Sequence, residues 1–315
     1  MLQGKTIAVV VPCYNEERLL PRVVDTMPAY VDAILVVDDC SKDGTAAVAE
    51  SLALRDPRVR LLRHEKNGGV GASIATGYMA AAEAGHDVAV VMAGDAQMDP
   101  DDMPALLQPL LDDVADYAKG NRLFTGDAWH VIPRVRFLGN AMLSLLTKVA
   151  SGYWNVADSQ CGYTAINRAA LRAIRWADMY PRYGQPNDLL VRLNIHNFRV
   201  RDVPIRPVYG IGEQSGVKPI RMIPHFMLLL WRLFWLRMGR KYVIQDFHPL
   251  VLFYTMGIVL LPLGVLWGTW LLGYRIFTGP VADTSVLLAV LLMLMGSQFL
   301  LFGMWFDMEQ NRTLR

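Results

Sequence analysis

Cysteine is scarce in this sequence, and several short motifs that mark common enzyme classes are absent. The three cysteines, Cys13, Cys40 and Cys161, lack the spacing of a metal site or a redox pair. They predict no disulfide framework and fit a reducing compartment. The chain has no GxxxxGK(S/T) loop, no GxSxG elbow and no HExxH pair. It therefore does not resemble the P-loop NTPases, α/β-hydrolases or zinc proteases that carry those motifs.

A strong excess of one charge is also missing. The 31 basic and 29 acidic residues leave a net charge of +2, and no basic patch interleaved with aromatic residues indicates a nucleic-acid partner. The six histidines are scattered, and we assign them no catalytic role. The early apolar run IAVVVP is too short for a signal peptide and follows no basic segment, so we expect most of the chain to stay inside the cell.

Apolar residues, by contrast, are abundant and concentrated near the C-terminus. They make up 53% of the chain, and the mean hydropathy is +0.25. Residues 249–273 and 285–306 are uncharged runs, each long enough to cross a hydrocarbon core of about 30 Å. The short connection predicts a membrane hairpin, with Pro262 kinking its first helix. Two buried helices of a globular core are the alternative, disfavoured because such helices rarely run so far without a polar face.

Basic residues flank both apolar runs, which predicts cytoplasmic termini and an integral protein of the inner or cell membrane. The stretch from Ile220 to Met238 mixes Trp, Phe and Leu with Arg. This composition indicates a helix lying in the headgroup plane, with a third, shallow span as the alternative. We expect a catalytic domain over residues 1–218, juxtamembrane amphipathic helices over 219–247 and the hairpin over 248–315. The last two segments also offer surfaces for a homo-oligomer.

Strand-like and helix-like segments alternate before the membrane region. The apolar runs IAVVVP, AILVVD, VRLLRH and DVAVVM are followed by amphipathic stretches from about Glu16, Thr45, Val70 and Asp101. This rhythm predicts an α/β fold with a mostly parallel sheet covered on both faces. Ligands of such folds bind at the carboxyl ends of the strands, and polar residues follow each run there. The glycine-rich NGGVGAS lacks the third glycine of a dinucleotide fingerprint and follows the third strand rather than the first.

Several motifs together carry a resemblance to a known family. The stretches VVVPCYNEE, VVDDCSKDGT, KNGGVGASIATGY and VVMAGDAQMDPDD resemble, in that order and spacing, the family 2 glycosyltransferases with a Rossmann-like GT-A fold. Further on, YAKGNRL, ADSQCGYTAINRAAL and GEQSGVKP are similar to the branch that includes dolichol-phosphate mannose synthase and bacterial polyprenyl-phosphate glycosyltransferases. The resemblance covers about the first 220 residues well, and the tail in architecture.

The resemblance implies a nucleotide-binding set at the first three strand ends. A strand-end carboxylate can accept hydrogen bonds from a base N–H, and Tyr14 offers an aromatic wall. One of Asp38 and Asp39 is expected instead to cap the following turn, and which one touches the base stays open. The expected nucleotide-binding residues are Pro12, Tyr14, Glu16, Asp38, Asp39, Lys66 and Asn67.

The resemblance also implies a divalent metal at the fourth strand end. Relatives commonly have two aspartates separated by one residue, then a glutamine two residues later, and this chain has Ala93 at the first of these positions. Asp95 and Gln97 with two phosphate oxygens would still hold Mg²⁺ or Mn²⁺, more weakly than a three-ligand site. Asp99 and Asp101 are expected to begin the helix at Pro100.

An acceptor phosphate would need cationic side chains. The resemblance makes Arg122 and Asp158 expected catalytic residues together with Asp95. Each cation has a plain alternative as a solvated surface charge. The expected acceptor-phosphate residues are Arg122, Arg136, Gln160, Lys218 and Arg221, with Gly162 beside Gln160.

Asp188 decides between two kinds of acceptor. It falls where hydroxyl-directed relatives keep a catalytic base, although it equally suits the first turn of a helix over LLVRLNIH. A phosphate monoester is mostly dianionic at neutral pH and needs no base. We therefore predict a membrane-anchored inverting glycosyltransferase that moves a sugar from a UDP- or GDP-sugar to polyprenyl phosphate on the cytoplasmic face. The alternatives are transfer to a hydroxyl with Asp188 as base, a polysaccharide synthase, and a degenerate sugar-nucleotide-binding subunit suggested by Ala93.

Overall fold

The computed structural model describes residues 1–123, 134–206 and 219–315, and for residues 134–141 and 219–222 it describes the backbone alone. The chain forms two compact units. One consists of Met1–Phe234 with Leu314–Arg315, and the other of Trp235–Thr313. The boundaries expected at residues 218 and 247 remain predictions from the sequence.

A mixed seven-stranded sheet organises the first unit. In spatial order the strands are β3-β2-β1-β4-β6-β5-β7. The pairs β1–β2, β2–β3, β1–β4 and β5–β7 are parallel, whereas β6 is antiparallel to both β4 and β5. The predicted α/β class with a mostly parallel sheet is confirmed. The strands are β1 (Ile7–Cys13), β2 (Ala33–Asp38), β3 (Val59–Arg63), β4 (Val88–Val91), β5 (Tyr117–Asn121), β6 (Thr164–Asn167) and β7 (Val200–Pro204).

Burial explains why the central strands are continuous apolar runs. Every residue of β1 and β4 is buried, and so is all of β2 after Ala33. One apolar core lies on the face that carries Val9 and Val36, and a second lies on the face that carries Val10 and Val37. The two edge strands, β3 and β7, have mixed exposure. Helices therefore cover both faces, and polar side chains concentrate where the strands end.

Helices follow the strands near the predicted positions, with one shift. The first begins at Leu20 rather than at Glu16, because Asn15 takes a left-handed backbone with φ of 60° and a turn at Glu16 precedes the helix. Asp99 accepts a hydrogen bond from the Asp101 amide (2.9 Å), which confirms its expected place at the start of the helix at Pro100. The helices of the first unit are α1 (Leu20–Asp25), α2 (Thr45–Arg55), α3 (Val70–Glu83), α4 (Met103–Leu111), α5 (Arg134–Ser151), α6 (Arg168–Ala173) and α7 (Gln185–Ile195).

The second unit contains two helices long and apolar enough to cross a membrane. Helix α8 (Pro219–Gly239) enters this unit and is followed by a π-helical stretch, Arg240–Gln245. The two apolar helices, α9 (Leu250–Phe277) and α10 (Asp283–Gln310), each have 28 residues. Both extend beyond the predicted runs of 249–273 and 285–306, because polar residues such as Arg275 and Asp307 continue the helix past the apolar stretch.

Glycines bring α9 and α10 into close contact. A methyl group on Gly296 would lie 2.4 Å from the backbone nitrogen of Leu261, and one on Gly264 would lie 2.7 Å from that of Met293. Gly257 and Gly303 face the partner helix in the same way. The glycines recur seven residues apart on each helix, which keeps one small-residue stripe facing the partner.

A buried ionic cluster lies at the end of α10. Arg237 and Asp307 are both fully buried and form two hydrogen bonds of 2.6 and 2.8 Å. The Tyr242 hydroxyl donates to the same carboxylate (3.1 Å), and Lys241 donates to Asn311 (2.9 Å). Burial, together with the charge of Arg237, lowers the pKa of Lys241 to about 7. Each charge would be costly to bury without its partner. The cluster therefore holds these side chains in one arrangement.

Gly296→Ala tests the helix contact. The added methyl group would force α9 and α10 apart, and we expect a loss of about 2 kcal/mol in the free energy of unfolding, measured by thermal unfolding in detergent. Gly273→Ala is the matched control, since no atom lies within 4 Å of a methyl group there. Equal melting temperatures for the two variants would contradict the packing described.

Candidate active site

A cavity of about 1020 Å³ opens at the carboxyl edge of the sheet. The ends of β1, β2 and β4 and the loop before α3 form its walls, as expected for a parallel sheet. The segment before α7 adds Arg182 and Tyr183. Among the expected nucleotide-binding residues the cavity lining includes Pro12, Tyr14, Glu16, Asp39 and Asn67.

Asp39 is the most firmly held carboxylate in this wall. The residue is 2% exposed, and its side chain accepts hydrogen bonds from the amides of Gly68 (2.8 Å) and Gly69 (2.7 Å). His64 contacts the same carboxylate at 2.8 Å, and its other ring nitrogen lies 2.9 Å from Thr76. The carboxylate thus fixes the glycine loop to the end of β2.

Asp38 and Lys66 lie differently. Asp38 is buried and accepts from the Ser41 amide (3.1 Å), so it is the aspartate that stabilises the turn after β2. Asp39 is the one that lines the cavity. Lys66 is exposed and is not part of the lining, whereas its neighbour Asn67 is.

Five carboxylates line the cavity, those of Glu16, Glu17, Asp39, Asp43 and Asp95. Burial raises the pKa of Glu16 to about 7, and the charges of Asp95 and Asp43 add to the shift. Asp95 accepts from the Gln97 amide (3.1 Å), while Gln97 itself lies outside the lining. Among the described residues no three His, Cys, Asp or Glu side chains converge into a complete metal centre. The oxygen donors suit a hard cation that takes further ligands from phosphate and water.

The turns that carry these side chains have unusual backbone conformations. Asn15, Cys40 and Ala96 have φ between 56° and 60°, and one of them follows each of β1, β2 and β4. Left-handed backbone is uncommon for residues other than glycine and is concentrated at functional sites. Gly94 packs beside the Cys13 sulfur, which a methyl group would approach within 2.6 Å.

A second polar centre lies farther along the same edge. Arg122 follows β5, and its guanidinium donates to both oxygens of Asp158 at 2.7 and 3.1 Å. Asp158 is 1% exposed. Burial opposes its ionisation, but hydrogen bonds and positive charge from Arg122 outweigh burial, so the pKa of this carboxyl lies below its usual value. The structure therefore brings Arg122 and Asp158 together as an ion pair.

The antiparallel strand β6 places this pair on the same edge as the cavity. Because β6 runs against β4 and β5, the segment that enters it begins where those two strands end. Direct contacts join the two regions: the Tyr163 hydroxyl donates to the Asp99 carbonyl (3.0 Å), and a methyl group on Gly162 would lie 3.3 Å from the Met98 side chain. The Gln160 side-chain amide donates to the Asn187 side chain (3.0 Å), and Gln160 is only partly exposed to solvent.

The other expected acceptor residues cannot be placed in the same detail. Arg136 lies on α5 and Arg221 on α8, in the parts for which the backbone alone is described. Lys218 lies outside the described residues.

Asp188 occupies the first turn of α7 and is 2% exposed. One carboxylate oxygen accepts from the Tyr180 amide (2.7 Å) and the other from Arg192 (2.9 Å). Burial raises its pKa. Both oxygens are engaged in holding the helix start, which favours the structural role over that of a base.

Several residues of this region were not expected from the sequence, among them Asp43, His64, Arg182 and Tyr183. His64 directly follows β3, so its place at a strand end was available as a signal. Arg182 and Tyr183 approach from a segment far along the chain, and the signal for them is the glycine loop. A methyl group on Gly71 would lie 2.4 Å from the Tyr180 carbonyl oxygen, and one on Gly69 would lie 2.7 Å from that of Pro181. The glycines permit this close docking.

The first unit thus combines a mixed seven-stranded sheet with an acidic cavity at its carboxyl edge and the Arg122–Asp158 pair on the same edge. The model of the family described as Glycosyl transferase family 2 matches residues 8–175. The chain belongs to this family and is a glycosyltransferase, as the sequence motifs predicted.

Curated relatives cover most of the chain. It is 30% identical over 252 residues to a UDP-N-acetylglucosamine–dolichyl-phosphate N-acetylglucosaminyltransferase of Methanococcus voltae, covering 76% of this chain and 99% of that protein. It is 32% identical to an undecaprenyl-phosphate mannosyltransferase of Micrococcus luteus, covering 67% and 88%. The polyprenol monophosphomannose synthase of Mycolicibacterium smegmatis is also 32% identical, covering 66% and 80%.

Solved structures support the fold. The glucosyl-3-phosphoglycerate synthase of Mycobacterium tuberculosis, solved with Mn²⁺, UDP and glucosyl-3-phosphoglycerate, superposes with a TM-score of 0.54 at 22% identity. The match covers 75% of this chain and 81% of that one.

Gly71→Ala tests the docking of the segment that carries Arg182. The methyl group would collide with the Tyr180 carbonyl oxygen, and we expect the free energy of unfolding of the first unit to fall by about 1–3 kcal/mol. Chemical denaturation followed by tryptophan fluorescence measures the loss. Gly239→Ala, where no atom lies within 4 Å of the new methyl group, is expected to leave stability unchanged or slightly raised. A loss of similar size in both variants would count against the contact.

Asp158→Asn tests the buried ion pair. We expect a loss of about 3 kcal/mol in the free energy of unfolding at neutral pH, because Arg122 loses its charged partner. The folded pKa of Asp158 is lowered, so its contribution is present above the unfolded pKa of about 3.9 and disappears as pH falls through the lower folded value. Melting temperatures measured from pH 7 to pH 2 should therefore begin to converge below about pH 4. A constant difference across this range would show that the charge is not involved.

Proposed function

We propose that this protein transfers a sugar from a nucleotide diphosphate sugar to polyprenyl phosphate, with inversion at the anomeric carbon. The observation that carries the proposal is the Arg122–Asp158 pair on the same sheet edge as the acidic cavity. A donor and an anionic acceptor would meet there. The names of the relatives from Methanococcus voltae and Micrococcus luteus, a dolichyl-phosphate and an undecaprenyl-phosphate transferase, support this acceptor class.

The cavity suits a nucleotide. Tyr14 is 43% exposed and offers a ring for a base, while Asp39 and Asn67 present fixed polar groups beside it. Its volume of about 1020 Å³ is at the upper end of small-molecule sites. UDP- and GDP-sugars both remain candidate donors, since either base offers N–H donors to a carboxylate.

The second polar centre suits a phosphate. Asp158 holds the guanidinium of Arg122 by two hydrogen bonds, and the Arg122 side chain remains 21% exposed. A planar guanidinium in fixed orientation is a good partner for phosphate oxygens. The same part of the sequence contains further cationic residues, Lys119, Arg136, Lys218 and Arg221. We propose Arg136, Lys218 and Arg221 as further contacts of the acceptor phosphate.

The reaction needs no protein base when the acceptor is a phosphate. A phosphate oxygen forms a bond to the anomeric carbon from one face of the sugar. The bond from that carbon to the diphosphate breaks on the other face, and the nucleoside diphosphate leaves with the electron pair. The phosphate is already deprotonated at neutral pH, which agrees with an Asp188 that is buried and fully engaged. Arg122 orients the acceptor and offsets its charge.

Asp95 and Gln97 would hold Mg²⁺ or Mn²⁺ against the donor diphosphate, as proposed from the sequence. A bound divalent cation would stabilise the charge that develops on the leaving diphosphate. Glu16, Asp43 and Asp95 all line the cavity, and a bound cation would offset their negative charges. The Mn²⁺ in the structurally similar mycobacterial synthase agrees with this choice.

The membrane region would present the lipid. Helices α9 and α10 are each long enough to span a bilayer, and Trp231 and Met227 of α8 are exposed apolar residues among arginines. We propose that the catalytic domain and both termini face the cytoplasm, on the positive-inside rule.

The decisive experiment is a transfer assay on the full-length protein in detergent. Labelled UDP- and GDP-sugars are supplied with and without undecaprenyl phosphate and with Mg²⁺, Mn²⁺ or EDTA, and label is counted in the organic phase. We expect transfer that requires both the lipid phosphate and the cation. Nucleotide binding without transfer to the lipid would overturn the proposal and favour a hydroxyl acceptor or a non-catalytic subunit.

Two pairs of variants sharpen the assay. Asp95→Asn should lower kcat at least about 100-fold by weakening the cation site, whereas exposed Asp101→Asn is the control. Arg122→Ala should raise the KM for the lipid phosphate more than about 10-fold, with exposed Arg201→Ala as the control. Ala93→Asp should change kcat less than about threefold. A large gain from that substitution would instead indicate a degenerate site.

A further inference from the structure

Asp202, on β7, is hydrogen-bonded to the residues that precede Arg122 and Asp158. It is not among the residues that the sequence motifs single out. The parallel register of β5 and β7 sets it opposite Lys119. It is largely buried, and burial raises its pKa to about 6. A carboxylate in such a position is costly unless it has a structural or functional role.

One oxygen of Asp202 makes both of its hydrogen bonds. Oδ2 accepts from the Ala157 amide (2.7 Å) and from the Asn121 side-chain amide (3.1 Å). The other oxygen, Oδ1, is buried and has no hydrogen-bond partner among the described residues. Among the described residues, Oδ2 is therefore the one oxygen of the Asp202 carboxylate that accepts hydrogen bonds.

The two donors are placed to control the ion pair. Ala157 immediately precedes Asp158, and Asn121 immediately precedes Arg122. Asn121 also accepts from the Leu123 amide (2.9 Å), so it holds the chain on the far side of Arg122 as well. Lys119, on β5, donates to the Cys161 carbonyl and so links β5 to the segment that carries Asp158. A single acceptor atom thus ties together the two chain segments that carry the pair.

We propose that Asp202 is a positioning residue for the acceptor phosphate: its Oδ2 atom sets the orientation of Arg122 by holding Ala157 and Asn121 at a fixed separation. The inference rests on the proposed function for the identity of the ligand. It does not rest on that function for the mechanical role of Asp202, which can be measured separately. Asp202 acts through Arg122 and does not touch the reacting atoms.

The test uses three variants of the full-length protein. Asp202→Ala removes the acceptor atom. Asp202→Asn keeps one oxygen, which is enough to accept both hydrogen bonds, and removes the buried charge. Asp116→Ala is the matched control: Asp116 precedes the same strand β5 at its other end, where it accepts from Arg199 (2.8 Å) and Asn167 (2.9 Å). Its loss should destabilise the sheet without reaching Arg122.

In the transfer assay we expect Asp202→Ala to raise the KM for undecaprenyl phosphate at least about tenfold while the KM for the donor changes less than about twofold. Asp202→Asn should restore the lipid KM to within about threefold of wild type. Asp116→Ala should lower the melting temperature but leave the lipid KM unchanged. Equal effects of Asp202→Ala on both substrates, or failure of Asp202→Asn to restore the lipid KM, would overturn the proposal.

Hydrogen–deuterium exchange separates this inference from the proposed function. In Asp202→Ala we expect faster exchange of the amides of residues 121–123 and 157–162, and wild-type exchange there in Asp202→Asn and Asp116→Ala. Unchanged exchange in Asp202→Ala would refute the positioning role. If the wild-type protein transfers no sugar to lipid phosphate, the proposed function fails, and exchange still decides whether Asp202 holds the pair.

Discussion

The structure depends on the complete burial of three adjacent strands, β1, β2 and β4. Their residues pack against helices on both faces, so nearly every side chain along them must be apolar. Polar side chains are then confined to the last residue of each strand, as with Asp38, and to the turn that follows it. The acidic cavity is a direct result, because Glu16, Asp39 and Asp95 all follow one of these three strands. The left-handed turns at Asn15, Cys40 and Ala96 are the local strain that this crowding requires.

The reversed strand β6 extends the same edge into a second kind of site. Its antiparallel pairing carries residues 158–162 back to the point where β4 and β5 end. A buried aspartate paired with an arginine is expensive to desolvate, and here the backbone amides of Arg122 and Gln160 also donate to the Asp158 carboxylate. The result is a guanidinium held in one orientation, with part of its surface exposed. Rigid support of this kind is what distinguishes a binding arginine from a mobile surface charge.

Much of this was available from the sequence, and the limits have physical causes. The buried strands and the helices after β2 and β3 were predictable because continuous apolar runs and strand-end polar residues are local patterns. The start of α1 was misplaced because it depends on the backbone of Asn15, which no periodicity reveals. Asp202 and Arg182 were missed because their roles come from strand register and from the docking of distant segments. Asp38 and Asp39 are adjacent and chemically identical, and the structure separates them by their hydrogen-bond partners: the Ser41 amide for one, and the glycine loop for the other.

In the proposed function, the reversal at β6 also divides the chain into two consecutive stretches with different tasks. Cavity residues come mainly from before residue 96, whereas the ion pair and its supports come from residues 119–202. Substitutions in one of these stretches can therefore change the specificity for one substrate while the other stretch stays constant. Chimeras joined within α4, which lies between the two stretches, would exchange the second half as a unit. Such a chimera would have to keep two contacts between the stretches: that of Met98 and Asp99 with residues 162–163, and the docking of Tyr180 and Pro181 on Gly69 and Gly71.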